Sequence, residues 1–282
     1  MQLTTGTTDV RALATNLTQT ENGIWVATDR SGVSYPERGN AWSRCLEERS
    51  FWFPHRNHCI VEVVRQHPPT GPIFDIGGGN GVVSLALQES GYPAILVEPG
   101  LTGAQNAQRR GLQTVICSTL DHAGFKTAAL PAIGIFDVIE HIEDERGFLS
   151  TLAQLLPPCG HLYITAPAYN TLWSYEDDYA GHHRRYTLSS LTTSLHRAGF
   201  TVEFATYLFF FLPLPVLLYR VLPSKLGVRT TVSLQQEQKE HTPPRGVLGR
   251  LLHHLLQGEL RFLRKKWPVP FGSSCLLVAT KR

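Results

Sequence analysis

The sequence predicts an α/β fold built on a doubly wound sheet of mainly parallel strands. Short apolar runs of strand length alternate with longer stretches of helical periodicity. A glycine-rich turn follows the first run, and acidic residues end the second and the fourth. Alternation of this kind forms a sheet covered by helices on both faces, with ligands bound at the carboxyl ends of the strands.

The predicted elements follow one another closely along the chain. The first strand, residues 73–76, leads through the glycine-rich turn into a helix that reaches residue 87, and the second strand covers 94–97. Proline or glycine closes several of the later elements. These are a helix 102–110, strands 115–117 and 132–136, a helix 144–156, a strand 162–165, a helix 188–198, a strand from residue 200 and a last strand 275–279.

The glycine-rich turn has the spacing of a nucleotide-cofactor site. It reads D-x-G-x-G-x-G from Asp75 to Gly81, and Glu98 ends the next strand. Glycine allows positive φ and close approach of a ligand, and the helix start behind it offers unpaired N–H groups. A dinucleotide site has G-x-G-x-x-G, but Val82 stands at the third glycine position. Asp75 would repel a pyrophosphate and suits an ammonium group, while Glu98 can accept both hydroxyls of a ribose.

Residues 75–81 resemble motif I of class I S-adenosylmethionine-dependent methyltransferases, and residues 134–142 resemble their motif IV. The resemblance covers residues 51–208 and the final strand. It implies a Rossmann-like seven-stranded sheet with a helical insertion before the last strand, and S-adenosylmethionine as the cofactor. The cofactor-binding residues that we expect are Asp75, Gly77, Gly78, Gly79, Glu98, Pro99, Ser118, Thr119, Leu120, Phe136, Asp137 and Arg56.

A metal triplet is an alternative interpretation of residues 137–141. Asp137, Glu140 and His141 could offer O, O and N ligands to a divalent cation. The spacing resembles the E-x-x-E-H triplet of ubiquinone-pathway O-methyltransferases and small-RNA 2′-O-methyltransferases, with Asp in place of the first Glu. The second family has a further histidine shortly downstream, where this chain has residues 144–146, Asp-Glu-Arg. The same side chains can instead line the cofactor pocket and cap a helix, so we expect no metal.

Residues 167–187 are dense in aromatic, acidic and histidine side chains. They resemble the L-W-S-x-x-D-x-x-x-G-H-x-R-R-Y-T stretch of a bacterial methyltransferase subfamily, and we expect this loop to close over the substrate. His182, His183 or His141 could take a proton from an attacking hydroxyl or amine near neutral pH. Alternatively, Asp178 and the arginines only tie the loop down. The expected substrate-binding residues are Phe51, Trp173, Tyr175, Asp178 and Tyr186.

Residues 50–57 resemble the S-F-W-F-x-x-R-N stretch of the same subfamily. A helix over 56–66 would place Arg56, the expected ligand of the cofactor carboxylate, at its start. The aromatic residues 51–53 form a lid or pack the helix on the sheet, and residues 1–40 show no regular pattern. The expected organisation is an N-terminal extension and lid (1–69), a cofactor-binding core (70–205), an apolar and helical insertion (206–270) and a final core strand (271–282).

Composition excludes several classes of protein. The chain has 282 residues, 42% hydrophobic and 17% charged, which is enough to bury a full core. A net charge of +3 is too small to indicate nucleic acid, and the motif after the fourth strand is not the N-P-P-Y of base methylators. The N-terminus lacks an apolar signal segment, so we expect a cytoplasmic protein. Scattered cysteines favour reduced thiols over a disulfide or zinc framework: Cys45, Cys59, Cys117, Cys159 and Cys275.

The insertion is the most unusual part of the chain. Residues 204–219 carry no acidic or basic side chain, but their two prolines and their length do not suit a transmembrane helix. Residues 245–266 combine a leucine stripe with arginines and lysines. We expect peripheral contact with the inner face of a membrane through 204–219 and 245–266, a lid over a lipophilic substrate, or a homodimer interface.

Together these patterns predict an enzyme that transfers a methyl group to an oxygen or nitrogen atom of a small metabolite, which the apolar insertion allows to be lipophilic. The alternative is a non-catalytic protein with the same cofactor fold, whose C-terminal insertion binds a membrane or a partner.

Overall fold

The computed structural model describes residues 9–27, 47, 50–228 and 242–282. Its described strands form one sheet in the order β1-β2-β5-β4-β3-β6-β7-β9-β8. The strands are β1 (Leu17–Gln19), β2 (Trp25–Ala27), β3 (Ile73–Ile76), β4 (Ala94–Val97), β5 (Thr114–Cys117), β6 (Ala132–Phe136), β7 (His161–Pro167), β8 (Phe200–Leu208) and β9 (Ser274–Lys281).

The helices occupy the stretches between the strands and extend into the insertion. They are α1 (Val10–Leu13), α2 (Trp52–Gln66), α3 (Val82–Glu89), α4 (Leu101–Arg109), α5 (Leu120–Ala123), α6 (Glu145–Leu155), α7 (Tyr175–Ala180), α8 (Leu188–Arg197), α9 (Pro213–Val216), α10 (Leu222–Lys225) and α11 (Val247–Arg264). A 3-10 turn, Ile139–His141, follows β6, and a π-helical turn, Leu217–Val221, joins α9 to α10.

Successive strand residues alternate between two cores, which shows that the sheet is covered on both faces. Ile133 and Ile135 of β6 pack in one cluster, together with Leu152 of α6. Ala132 and Phe136 of the same strand pack in the other, which contains α2 and the buried end of α11. This is the period of two that a buried strand requires. The predicted fold class, a Rossmann-like α/β sheet, is therefore confirmed.

The sheet differs from the prediction at both edges. The seven expected strands are β3 to β9, and an antiparallel pair, β1 with β2, extends the sheet beside β5. Three-residue strands are too short to show alternation in a sequence, which explains why residues 1–40 gave no pattern. The last strand, β9, runs antiparallel to both β7 and β8, so the sheet is mixed.

Two boundaries also differ. The helix expected at 56–66 begins four residues earlier, at Trp52. The apolar segment 204–219 does not form one surface element, because residues 204–208 complete β8 and Phe209 is fully buried against Trp52. Only the part from Pro213 onward turns away from the sheet. Within the described ranges, no helix is long and apolar enough to cross a membrane.

Candidate active site

The glycine turn, residues 77–81, lies at the carboxyl end of β3 and takes a backbone path that favours glycine. Gly77, Gly79 and Gly81 have φ of 71°, 56° and 73°. At Gly78 a Cβ would come within 2.4 Å of an oxygen of Asp75. A side chain is therefore excluded here, and the backbone is left open for close approach of a ligand.

Asp75 and Glu98 hold this turn from two sides. The Asp75 carboxylate is fully buried and accepts a hydrogen bond from Ser84 Oγ at 2.7 Å. Burial raises its pKa to about 6, although the bond from Ser84 opposes the shift. Glu98, at the end of β4, accepts the N–H of Gly79 at 2.9 Å and the N–H of Gly100 at 2.7 Å. Asp75 thus contacts Ser84 of α3, the helix that follows the turn. Glu98 bonds to the backbone of the turn itself and of the loop after β4.

The loops after β4 and β5 bring the other predicted cofactor residues to the same edge. Pro99 follows Glu98, and its carbonyl lies 3.8 Å from the thiol of Cys117. Ser118 donates to the carbonyl of Thr119 at 2.8 Å, and Thr119 caps α5, whose first residue is Leu120. These side chains serve the loop itself. These predicted residues therefore lie in two adjacent loops, and their roles toward a cofactor stay a prediction.

Arg56 and Asp137 form a partly buried ion pair across the site. The Arg56 guanidinium lies 4.7 Å from the Trp52 ring centre and 5.4 Å from that of Phe53, and it bonds to the Asp137 carboxylate. Asp137 also accepts from Thr165 at 3.1 Å and has φ of 56°, which is unusual for a residue other than glycine. Strain of this kind is typical of functional positions. Arg56 thus binds a carboxylate of the protein itself, and its predicted role toward the cofactor carboxylate stays a prediction.

Phe136 does not line an open site in this structure. Its side chain is 5% exposed and belongs to the core on the α2 face of the sheet. Phe136 is the last residue of β6 and packs in this core, so its role toward a cofactor stays a prediction.

The loop after β7 is tied to the sheet edge by Asp177. This buried carboxylate accepts from His182 Nδ1 at 2.8 Å and from Arg185 at 2.7 and 3.0 Å. Burial alone would raise the pKa of Asp177, but the hydrogen bonds from His182 and Arg185 outweigh it and lower the pKa to about 2. His182 is therefore held in one orientation by a permanent anion.

His182 meets two residues of the 3-10 turn. The rings of His141 and His182 lie 4.7 Å apart, edge to face. One donor atom from each of Glu140, His141 and His182 lies within 4.8 Å of the others, and these three residues are the histidine cluster. Burial, with His182 next, lowers the pKa of His141 to about 4. Burial, with Asp137 next, raises the pKa of Glu140 well above its usual value.

The predicted triplet of Asp137, Glu140 and His141 needs a correction. Asp137 turns to Arg56 and Thr165, and His182 takes its place beside Glu140 and His141. The further histidine that the sequence lacked at 144–146 is supplied from a loop 41 residues downstream of His141. Sequence spacing does not reveal this contact, because it joins the loop after β6 to the loop after β7 at the carboxyl ends of these strands.

Other predicted residues of the loop have structural partners. His183 is exposed, and its N–H donates to the carbonyl of Glu140 at 2.8 Å. Trp173 donates to Asp178 at 3.0 Å, whereas the arginines of the loop pair with other carboxylates, Arg185 with Asp177 and Arg184 with Glu145. Tyr186 is buried, and its hydroxyl donates to Glu145 at 2.6 Å. We therefore reassign Tyr186 from substrate binding to anchoring of the loop on α6.

The first turns of α2 carry the remaining predicted residue and one contact that sequence reasoning missed. Phe51 precedes α2 and lines a groove of about 230 Å³ between α2 and α11. On the next turn, His55 bonds to Glu259 of α11 at 2.7 Å, and Glu259 also accepts from the N–H of Phe210 at 3.1 Å. Cys59 lies 3.5 Å from His55. This buried group fastens α11 to α2, over a separation of 204 residues.

Two curated proteins are similar to this chain. A ubiquinone biosynthesis O-methyltransferase of Photorhabdus laumondii is 25% identical over 99 residues, which cover 33% of this chain and 41% of that protein. The mitochondrial ubiquinone biosynthesis O-methyltransferase of Homo sapiens is 25% identical over 120 residues, which cover 38% and 32%. The matches thus span less than half the length of these relatives.

Solved structures share the fold. A possible histamine N-methyltransferase of Thermotoga maritima matches with a TM-score of 0.54 and 19% identity, over 87% of this chain and 97% of its own. Phosphoethanolamine N-methyltransferase 2 of Haemonchus contortus, in complex with S-adenosyl-L-methionine, matches with 0.53 and 18%, over 88% and 58%. At these identities the likeness concerns the fold alone.

The family follows from the sequence match and agrees with the geometry. A glycine turn after the first core strand and an acidic residue after the second are the features expected of this cofactor fold. The family model described as Methyltransferase domain matches residues 51–204, which is more than half of the chain. The chain therefore belongs to the Methyltransferase domain family, whose solved fold neighbours are class I S-adenosylmethionine-dependent methyltransferases.

Proposed function

We propose that this protein transfers the methyl group of S-adenosylmethionine to an oxygen or nitrogen atom of a small lipophilic molecule. Membership of the family supports the reaction. The observation that carries the proposal for the acceptor atom is the Asp177–His182 bond of 2.8 Å beside His141. This bond supports the role of His182 as a proton acceptor at the end of the sheet where the cofactor turn also lies.

The residues at this edge fit the cofactor. Bound S-adenosylmethionine supplies an electrophilic methyl group on a sulfonium. The backbone of the glycine turn, which tolerates no side chain at Gly78, would lie against the ligand. Glu98 would exchange its bonds to the amides of Gly79 and Gly100 for the ribose hydroxyls. Arg56 would bind the carboxylate, since it already holds that of Asp137. Asp75 would act indirectly, by holding the turn from below.

Proton removal would fall to His182. Because Asp177 accepts the Nδ1–H, the lone pair of the neutral ring is on Nε2. The negative charge of Asp177 then stabilises the imidazolium that forms when Nε2 takes a proton. His141, with a pKa of about 4, stays neutral at pH 7 and can only share a hydrogen bond. His183 is exposed and points to no comparable partner among the described contacts.

Methyl transfer is an in-line displacement, so alignment of the acceptor contributes most of the rate. A base adds to this when the acceptor is a hydroxyl or an ammonium group, which must lose a proton. The Asp177–His182 pair favours such an acceptor over a carbon atom.

The surroundings favour an apolar acceptor body. The apolar part of the groove between α2 and α11 consists of Phe51, Pro54, Leu252, Leu256 and Leu260, and polar side chains, His55, His58, His253 and Gln257, line the remainder. Trp173 precedes α7, and Tyr175 is its first residue. In this proposal residues 70–205 with 271–282 form the catalytic core, residues 1–69 contribute the aromatic lid, and the insertion 206–270 forms the acceptor side. A second copy of the chain or a membrane is the partner of the outer face of that insertion.

Calorimetric titration with S-adenosylhomocysteine, followed by methyl transfer from labelled cofactor to a panel of phenols, alcohols and amines with apolar tails, tests the proposal. We expect tight product binding and turnover with at least one hydroxyl or amine. A folded protein that binds no S-adenosylhomocysteine would instead be the non-catalytic alternative. Turnover of carbon acceptors alone would contradict the role of His182.

A further inference from the structure

We propose that the helical insertion docks on a bilayer containing anionic lipids. The docking surface consists of residues 213–228 and 242–267. The proposal extends the proposed function, since it supplies a lipophilic acceptor to the site, but the surface can be tested without turnover.

The first half of the docking surface is a stripe of leucines. Helices α9 and α10 and the π-helical turn between them form a continuous helical segment. Its leucines at every fourth position are between 42% and 75% exposed: Leu214, Leu218, Leu222 and Leu226. Val221, on the other side of the segment, is fully buried. An exposed apolar row of this length is uncommon on a monomeric soluble protein and marks an interaction surface.

The second half is the N-terminal part of α11. Val247, Leu248 and Leu251 are each more than half exposed, whereas Leu260 and Leu263 near the other end are buried. After the helix, Lys265 lies 4.8 Å from the ring centre of the half-exposed Trp267. A tryptophan beside lysine is suited to the boundary between lipid headgroups and acyl chains.

Charge decides which kind of surface fits. Residues 204–282 contain 12 Lys and Arg against three Glu, and one of these, Glu259, is buried beneath the helix. Residues 1–203 contain 14 Lys and Arg against 20 Asp and Glu. The small net charge of the chain therefore hides a strongly cationic C-terminal part. Lysines and arginines near exposed leucines suit a membrane, where the cations contact anionic headgroups and the leucines contact acyl chains. A nucleic acid offers no comparable apolar surface for the leucines.

The docking surface is joined directly to the candidate site. In α10, Ser224 Oγ accepts from the N–H of Tyr175 at 3.1 Å, two residues before Asp177. In α11, Glu259 bonds to His55, the neighbour of Arg56. Both halves thus touch helices that carry site residues. An acceptor whose apolar tail stays in the bilayer would need to travel only the width of these helices.

Vesicle co-sedimentation of the full chain tests the proposal. We expect wild-type protein to pellet with vesicles of equal parts phosphatidylcholine and phosphatidylglycerol at low salt. It should pellet less with phosphatidylcholine alone and less as salt screens the charges. Arg250→Gln, Arg261→Gln and Lys265→Gln together should weaken binding by about 100-fold, from about 1 kcal/mol for each cation. Arg146→Gln with Arg197→Gln, exposed on α6 and α8, is the matched control and should bind as wild type.

A second variant tests the apolar stripe, and product binding serves as the fold check. Leu218→Asp with Leu222→Asp should also release the protein from vesicles, because both leucines are exposed and their loss spares the core. Wild-type protein that stays in the supernatant at low salt overturns the proposal. So does a wild-type dimer that this variant splits into monomers without any vesicle binding, since the surface is then a subunit interface. Vesicle binding without S-adenosylhomocysteine binding would refute only the proposed function. S-adenosylhomocysteine binding without vesicle binding would refute only the docking.

Discussion

The glycine turn and the histidine cluster lie at the same end of one sheet, but different kinds of contact hold them. Around the turn, Asp75 bonds to Ser84 nine residues away, and Gly79 to Glu98 nineteen residues away. Around the cluster, Tyr186 reaches Glu145 across 41 residues and His182 meets His141 from another loop. The glycine turn, which is the cofactor side of the site, is thus formed by neighbouring strand ends. The histidine cluster, which is the acceptor side, is formed by a network of charged side chains.

This difference has a chemical consequence. The cofactor side relies on backbone N–H groups and on one buried carboxyl whose pKa is raised. The acceptor side relies on a carboxylate whose pKa is lowered by its partners. The contributions of Asp75 and Asp177 to the free energy of unfolding should therefore change with pH in opposite directions.

His182→Ala should have the largest effect. Loss of a general base lowers kcat by about 10²–10⁴-fold, whereas affinity for S-adenosylhomocysteine should stay as in wild type. The control is His183→Ala, which removes an exposed neighbour and should leave kcat nearly unchanged. Kinetics and calorimetry on both variants measure this. Equal losses in the two variants would remove His182 from the reaction.

Asp75 should make the folded protein less stable as pH rises. Its folded pKa of about 6 lies above the usual 3.8, so its contribution is present below pH 4 and is lost as pH rises through 6. The loss amounts to about 3 kcal/mol. Asp75→Asn should make this slope shallower in urea unfolding between pH 4 and 7, while Asp121→Asn, which is exposed, should keep it. An unchanged slope in Asp75→Asn would contradict the raised pKa.

Asp177 should give the opposite slope at acid pH. Its folded pKa of about 2 lies below the usual 3.8, so its contribution is present above pH 4 and is lost as pH falls toward 2. The expected loss is about 2 kcal/mol. Urea unfolding of wild type and Asp177→Asn between pH 5 and 2 measures it. Parallel acid curves for the two proteins would show that the network around Asp177 does not stabilise the fold.

Glu98→Ala should weaken cofactor binding without loss of the fold. Removal of its charged hydrogen bonds should cost about 1.5–3 kcal/mol of binding free energy. Calorimetric titration with S-adenosylhomocysteine measures the change, with Glu89→Ala, an exposed residue at the end of α3, as the control. Wild-type affinity in a folded Glu98→Ala protein would take Glu98 out of the site.

Treatment with EDTA should have the smallest effect. We expect full activity in metal-free buffer, because His182 is oriented by Asp177 and needs no cation for proton transfer. Activity lost with EDTA and restored by a divalent cation would assign Glu140, His141 and His182 as its ligands. The assay should include His141→Gln, which would then abolish the restoration.

The sequence alone was sufficient for the fold class, the glycine turn and the acidic residues at strand ends. Their signals are local: a strand of four residues, a turn that needs positive φ and a carboxylate directly after the next strand. The same reasoning predicted the helix that carries Arg56 but began it four residues late, because an aromatic run gives no start signal. It also assigned Tyr186 to the substrate, since a buried tyrosine and an exposed one look alike in a loop motif.

Tertiary structure alone decided the rest. In the structure His182, and not Asp137, lies beside Glu140 and His141. Glu259 contacts His55, and β1 and β2 extend the sheet. It also divided the apolar segment into a buried strand end and an exposed leucine stripe. These outcomes depend on which side chains meet across distant parts of the chain. Periodicity and spacing report the face of one element, but they carry no information about the element that will pack against it.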